Sequence, residues 1–138
     1  MTATKAALGH VESWMTRAVV STGPDEPAIR ALELMAERGI RHVLVVRGEA
    51  VVGIVSNRDV IRANGQRGDG PLDLQTTTVA DIMTPAPLES IWPGATLREA
   101  AQRMRAVRIS ALPVFDGPRL VGILTTDDIL ASVAEQAE

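Results

Sequence analysis

Two short stretches hold residues that could do chemistry together. Ser56 and Asp59 stand three apart after the apolar run Val51-Val52-Gly53-Ile54-Val55, and Thr125 and Asp128 repeat that spacing after Leu120-Val121-Gly122-Ile123-Leu124. Each stretch reads as a β-strand running into a helix, with the hydroxyl at the joint and the carboxylate in the first helical turn. A carboxylate placed there can accept hydrogen bonds from the two hydroxyls of a ribose, as an acidic residue does in dinucleotide folds. The same placement has a structural explanation. An Asp at a helix N-terminus is stabilising by about 0.3–1 kcal/mol, and Ser and Thr are preferred N-caps. The free N–H groups of the joint also form a corner that suits phosphate.

Other chemistry is poorly represented. Asp127 and Asp128 are neighbours, but adjacent helical residues point about 100° apart and do not form a carboxylate dyad. The two histidines, His10 and His42, have no metal-ligand spacing around them, and there is no Cys to supply a thiolate, a disulfide or a zinc ligand. No Ser/His/Asp order, P-loop or Rossmann glycine pattern is present. An enzyme is therefore not expected. Arg41, His42 and Arg58 are the only basic concentration near a motif, and they could meet phosphates or could simply line a surface strand end. Trp14 and Trp92 read as packing or turn residues.

The elements that must position these residues occur twice, at a constant offset of 69 residues, from Gly53 to Gly122 and from Asp59 to Asp128. A helix entered at Asp25, the expected N-cap, with Pro27 in its first turn, places Ala28, Ala31, Leu32 and Met35 on one apolar stripe. Its counterpart opens with the capping box Thr96-Leu97-Arg98-Glu99 and carries Leu97, Ala100, Ala101 and Met104. Thr78 to Asp81 resembles a second such box. A hairpin follows each helix, and short strands are expected at Ala18–Ser21 and Leu88–Ile91. Each copy thus reads helix–strand–helix–strand–strand–helix. The divisions are a first copy at 10–64, a linker at 65–77 with part of it expected to be mobile, and a second copy at 78–136. The fold class is α+β: two repeats, each a small three-stranded sheet with flanking helices. Neither can cover both sheet faces alone, so the two should pack around a pseudo-two-fold axis.

Bulk properties agree. The chain has 138 residues, 46% apolar and 22% charged, which suits one globular domain. Aromatics are only 2%, so Val, Ile, Leu, Met and Ala must build the core. A net charge of −3 with no basic block argues against nucleic-acid binding. No apolar run approaches the roughly 20 residues of a membrane span, and Met1 to Leu8 lacks a signal-peptide core, so a cytoplasmic location is expected.

Met15-Thr16, Met83-Thr84-Pro85, the helix at 95–101, Ile109-Ser110-Ala111-Leu112-Pro113-Val114 and the two Gly-Ile-(Val/Leu)-(Ser/Thr)-x-x-Asp stretches resemble a tandem cystathionine-β-synthase (CBS) domain pair, or Bateman module. The resemblance covers about residues 10–133 and is to the stand-alone type. It implies a regulatory role, with adenosine-containing ligands (AMP, ADP, ATP, S-adenosylmethionine) bound in clefts between the two motifs. It also implies a homodimer, an unnamed regulated protein, no required cofactor, and an adenine nucleotide as regulatory ligand. On the family's pattern Ile54, Ser56, Arg58 and Asp59 face Thr84, Ile109 and Ser110, while Ile123, Thr125, Asp127 and Asp128 face Thr16, Ile40 and Arg41. Ile40, Ile54, Ile109 and Ile123 would then sandwich adenine, or else serve as ordinary core. The position of His42 would carry a cation toward phosphates. The homodimer is expected through apolar residues of the helices, Val60, Ile61, Ile129, Leu130 and Val133, with Val11, Trp14, Ile82 and Met83. Beside the two aspartates the copies differ in sign, Arg58 against Asp127. The Asp59 cleft is thus expected to prefer phosphorylated ligands and the Asp128 cleft to be weaker toward them. A dimeric interaction module with degenerate, non-binding clefts is the alternative.

Overall fold

A computed structural model describes residues 9–65 and 70–136. In chain order the elements are α1 (Val11–Trp14), β1 (Ser21–Thr22), α2 (Ala28–Arg38), β2 (His42–Arg47), β3 (Ala50–Ser56), α3 (Asn57–Gly65), α4 (Val79–Ile82), β4 (Thr84–Pro85), α5 (Leu97–Val107), β5 (Ala111–Asp116), β6 (Arg119–Thr125) and α6 (Thr126–Gln136). They form two compact units. One runs from Val20 to Leu88; the other joins the chain up to Val19 to the chain from Glu89 onward. The α+β architecture of two repeats read from the sequence is present.

In the Val20–Leu88 unit the sheet order is β1-β2-β3-β4, so a fourth strand joins the three expected. It is the Met-Thr-Pro segment: β4 pairs antiparallel with β3 through Gly53↔Pro85 and Ile54↔Thr84. Strand alternation sends Val43, Val45 and Val55 to one face. There they pack with Ala28, Ala31, Leu34 and Met35 of α2, Val60 of α3, and Val79 and Ile82 of α4. Leu32, expected in the apolar stripe, is only partly buried, and Leu34 takes the deeper place.

The helical period alone could not show this, because Leu72 and Leu74, in the stretch read as linker, pack against the same cluster. That stretch also replaces the expected Asp25 cap. The helix starts after Pro27, and the Thr77 and Leu74 carbonyls accept from the Ala28 and Ile29 amides at 2.7 and 3.0 Å. Asp25 instead meets Arg47 at 3.6 Å. Residues 66–69 of the expected linker lie outside the described residues.

The second unit repeats the plan with a narrower sheet. Its β5–β6 hairpin is flanked by single bridges, Ile91↔Val114 and Thr16↔Ile123, in place of full outer strands. The strand expected at Leu88–Ile91 is reduced to that bridge. The core gathers Leu112, Val114 and Leu124 with Leu97, Ala100 and Met104 of α5 and Val11 and Met15 around α1. Each unit therefore receives its lead-in helix from the other sequence copy: α4 packs on the first hairpin, and α1 on the second.

Candidate functional site

Each hairpin ends where a helix begins, and the joint is closed by a reciprocal set of hydrogen bonds. The Ser56 amide and hydroxyl donate to Asp59 Oδ2 at 2.7 and 3.1 Å, and the Asp59 amide donates back to Ser56 Oγ at 3.2 Å. In the second unit the Thr125 amide and hydroxyl donate to Asp128 Oδ2 at 2.9 and 3.2 Å, with the Asp128 amide returning at 3.3 Å. This is a capping box with Asp in place of the usual Glu or Gln. The same device starts α5 with Thr96 and Glu99, and α4 with Thr78 and Asp81. The motif hydroxyls and carboxylates thus serve the fold first, through one carboxylate oxygen, Oδ2.

The other oxygen distinguishes the units. Asp59 is only 7% exposed, and its Oδ1 accepts from the Arg62 guanidinium at 3.2 Å. The position one repeat later is Ala131, which offers no charge. Asp128 is half-buried, and its Oδ1 is left out of the box. Burial raises the Asp128 pKa above its ordinary value; the backbone and hydroxyl hydrogen bonds of Thr125 pull it down, and neighbouring Asp127 pushes it up.

A wall extends from each joint along the sheet face opposite the helices. Ile54 is paired with Leu44 on one side and Thr84 on the other, and Ser56 is paired with His42. Cross-strand partners share a face, so His42, Ile54, Ser56 and the exposed Thr84 line one wall. In the second unit Ile123 is bridged to Thr16 and paired with Pro113, and Thr125 is paired with Ala111. The Thr segment can approach because Gly53 and Gly122 have no side chain. A Cβ there would lie 2.8 Å from the Thr84 carbonyl oxygen and 2.9 Å from that of Thr16.

The CBS-domain family model matches residues 11–65 and 79–135. The chain belongs to the CBS-domain family. It is 35% identical over 124 residues to inosine-5′-monophosphate dehydrogenase of Korarchaeum cryptofilum, a match spanning 89% of this chain but only 24% of that enzyme's length. Among solved structures, a CBS-domain protein of Burkholderia ambifaria is similar at a TM-score of 0.80 and 31% identity, with 88% of this chain and 87% of that one covered. The CBS domain pair of protein MJ0100, solved with 5′-methylthioadenosine and S-adenosyl-L-methionine, is similar in fold at a TM-score of 0.79 and 22% identity, over 92% and 97% of the two chains.

In the first CBS unit the structure brings together Ile54, Ser56, Asp59 and Thr84, with Arg41 at the joint, where its carbonyl accepts from the Asn57 amide at 3.1 Å. In the second it brings together Ile123, Thr125, Asp128 and Thr16, and the Ser110 carbonyl accepts from the Thr126 amide at 3.0 Å. Arg58 and Asp127 are exposed. Ile40 and Ile109 pack against the helix-side cluster of their own unit, in the core role that the sequence left open. Ile109 and Ser110, expected beside Asp59, belong to the unit of Asp128; Ile40 and Arg41, expected beside Asp128, belong to the unit of Asp59. Arg62 escaped the sequence reading, although its i,i+3 spacing from Asp59 was a usable signal. Among the described residues no helix is long and apolar enough to cross a membrane, and no cluster of His, Cys, Asp and Glu could hold a metal ion.

Proposed function

We propose that this CBS pair is a regulatory module that binds adenosine-containing ligands at the two walls and acts on a protein partner rather than on a substrate. The observation that carries the reading is the duplicated joint itself. Each places a carboxylate, a hydroxyl and a helix N-terminus beside an isoleucine and an exposed threonine. A ribose can donate to the carboxylate, adenine can lie against Ile54 or Ile123, and phosphate is favoured toward the positive end of the helix. Thr84 and Thr16 close the opposite edge, and Arg41 and Arg58 supply cations on the first copy, with His42 on the same wall. The adenosyl ligands of the MJ0100 pair are of the class these walls suit, and that likeness itself is one of fold.

The same module presents apolar residues to solvent on α3 and α6: Ile61 is 69% exposed, Leu130 64% and Val133 47%. Ile61 and Leu130 occupy equivalent repeat positions, so a homodimer through these two helices accompanies the reading. Light scattering at micromolar protein checks it: the expected mass is that of a dimer.

Thermal shift against AMP, ADP, ATP, S-adenosylmethionine and adenosine tests the ligand reading. At a hundredfold excess over Kd, binding adds about 2.7 kcal/mol and raises the melting temperature clearly. A dimer with no shift for any of them would make the interaction module the correct reading.

A further inference from the structure

We infer that the two walls are unequal because Arg62 occupies the ribose-reading oxygen of Asp59, so that the Asp128 wall takes an adenosine first. This rests on the ligand reading above. In both copies the capping box uses Oδ2, which leaves Oδ1 as the acceptor a ribose hydroxyl would need. On Asp59 that oxygen already accepts from Arg62 at 3.2 Å, and the residue is 7% exposed. On Asp128 the corresponding helix position is Ala131, and the carboxylate is half-buried. A ligand at the first wall must displace an internal donor; at the second it meets a carboxylate not matched by a cation from its own helix. The Asp127 charge next door and the burial of Asp128 both favour acceptance of a donor there.

The order is the reverse of that expected from Arg58 and Asp127, which act on phosphates and not on ribose. Uncharged adenosine separates the two effects. An ion pair to a largely exposed arginine is overcome at a cost of about two- to fivefold in affinity, and that is the expected size of the Arg62 effect.

Titration calorimetry with adenosine on the full chain tests this, with melts of each variant confirming that it is folded. The wild type should show a stronger site that Asp128→Ala removes, while Asp59→Ala leaves that site within about twofold. Arg62→Ala should strengthen the weaker site about two- to fivefold, and Ala131→Arg, an exposed position outside the capping box, should weaken the stronger site by a similar factor. Equal losses in Asp59→Ala and Asp128→Ala, or no response to either exchange at 62 and 131, would overturn the inference while leaving the ligand reading intact. Absence of adenosine binding in every protein, wild type included, would overturn both.

Discussion

The two CBS units fill equivalent cores with different parts of the chain. At three matched positions the first has Ala28, Val43 and Val55 where the second has the larger Leu97, Leu112 and Leu124. The first makes up volume with Leu34 and with Leu72 and Leu74, which lie outside its hairpin and helices. The second has Arg103 at the position of Leu34, donating to the Ser90 carbonyl and lying 5.9 Å from the Trp92 ring centroid. Charge differs at matched positions as well, as where Ala131 stands one repeat after Arg62. Arg30–Glu33, Arg47–Asp25 and Arg62–Asp59 are ion pairs of the first unit. The duplicated fold thus constrains shape and the strand–helix joint, while side-chain volume and charge have diverged.

The largest effects should expose the difference in packing. Leu112→Ala should cost about 2–5 kcal/mol, the range for truncating a fully buried leucine. Val43→Ala, at the matched position, should cost about 2 kcal/mol, since fewer methyl groups are lost. Leu72→Ala should cost about 1 kcal/mol, because that side chain is only partly buried. Urea denaturation measures all three. A Leu72→Ala protein as stable as wild type would show that the first core does not depend on chain outside the repeat.

What the units share should respond equally. Gly53→Ala and Gly122→Ala each push a methyl group toward a backbone carbonyl oxygen closer than 3.0 Å, and a carbonyl held in a strand pair yields less easily than a side chain. Each should cost about 1–3 kcal/mol, the range for overpacking. Comparable midpoint shifts would support a common device. A loss confined to Gly53→Ala would mean that the single bridge of Thr16 to Ile123 gives way where the two-residue strand β4 does not.

A smaller effect of opposite sign is expected at the ends of the long helices. Gly39 closes α2 with φ 64°, and the matched Arg108 closes α5 with φ 59°. That left-handed backbone costs a residue with a Cβ about 1–2 kcal/mol, partly offset because glycine also loosens the unfolded chain. Arg108→Gly should therefore stabilise by up to about 1 kcal/mol, and Gly39→Ala should destabilise by about 1 kcal/mol. Denaturation midpoints moving in opposite directions would confirm that the second unit carries a strain the first avoids.

Much of this was legible in the residues. The hairpins followed from runs of Val and Ile bounded by turns, and the duplicated Gly-Ile and Ser/Thr-x-x-Asp stretches located both joints. Thr96–Glu99 is legible as a capping box, whereas Ser56–Asp59 supports both a capping and a ribose-binding reading, because Asp at that position also suits ribose. Leu72, Leu74 and the acceptors for the α2 amides were not legible. They belong to a segment whose Gly, Pro and Asp content reads as linker, and burial there depends on a tertiary contact. The assignment of α1 and α4 to the opposite hairpins was hidden for the same reason, since no local pattern encodes which sheet edge a Met-Thr segment will join.

The smallest effect sharpens the contrast at the two aspartates. Burial of Asp128, with Asp127 beside it, raises its pKa in the folded protein above the unfolded value, against the pull of Thr125. The folded state then holds the proton more tightly than the unfolded chain, so this group's contribution to stability falls as pH rises from the unfolded value through the folded one. The penalty is fully present above the folded-state value and is relieved as pH drops through it toward the ordinary value of 3.8. Asp128→Asn removes the titration while keeping an oxygen that can accept from Thr125. The stability of Asp128→Asn relative to wild type should therefore be greatest above the carboxylate range and should decline as pH falls through the raised folded-state value toward 3.8, with other carboxylates cancelling in the difference. Ala131→Arg gives the second copy the cation that Arg62 gives the first, and in that background the decline should flatten. Urea midpoints of the four proteins across that range provide the measurement. A relative stability that rises as the solution is acidified would mean that the Thr125 hydrogen bonds, and not burial, set the proton affinity of Asp128.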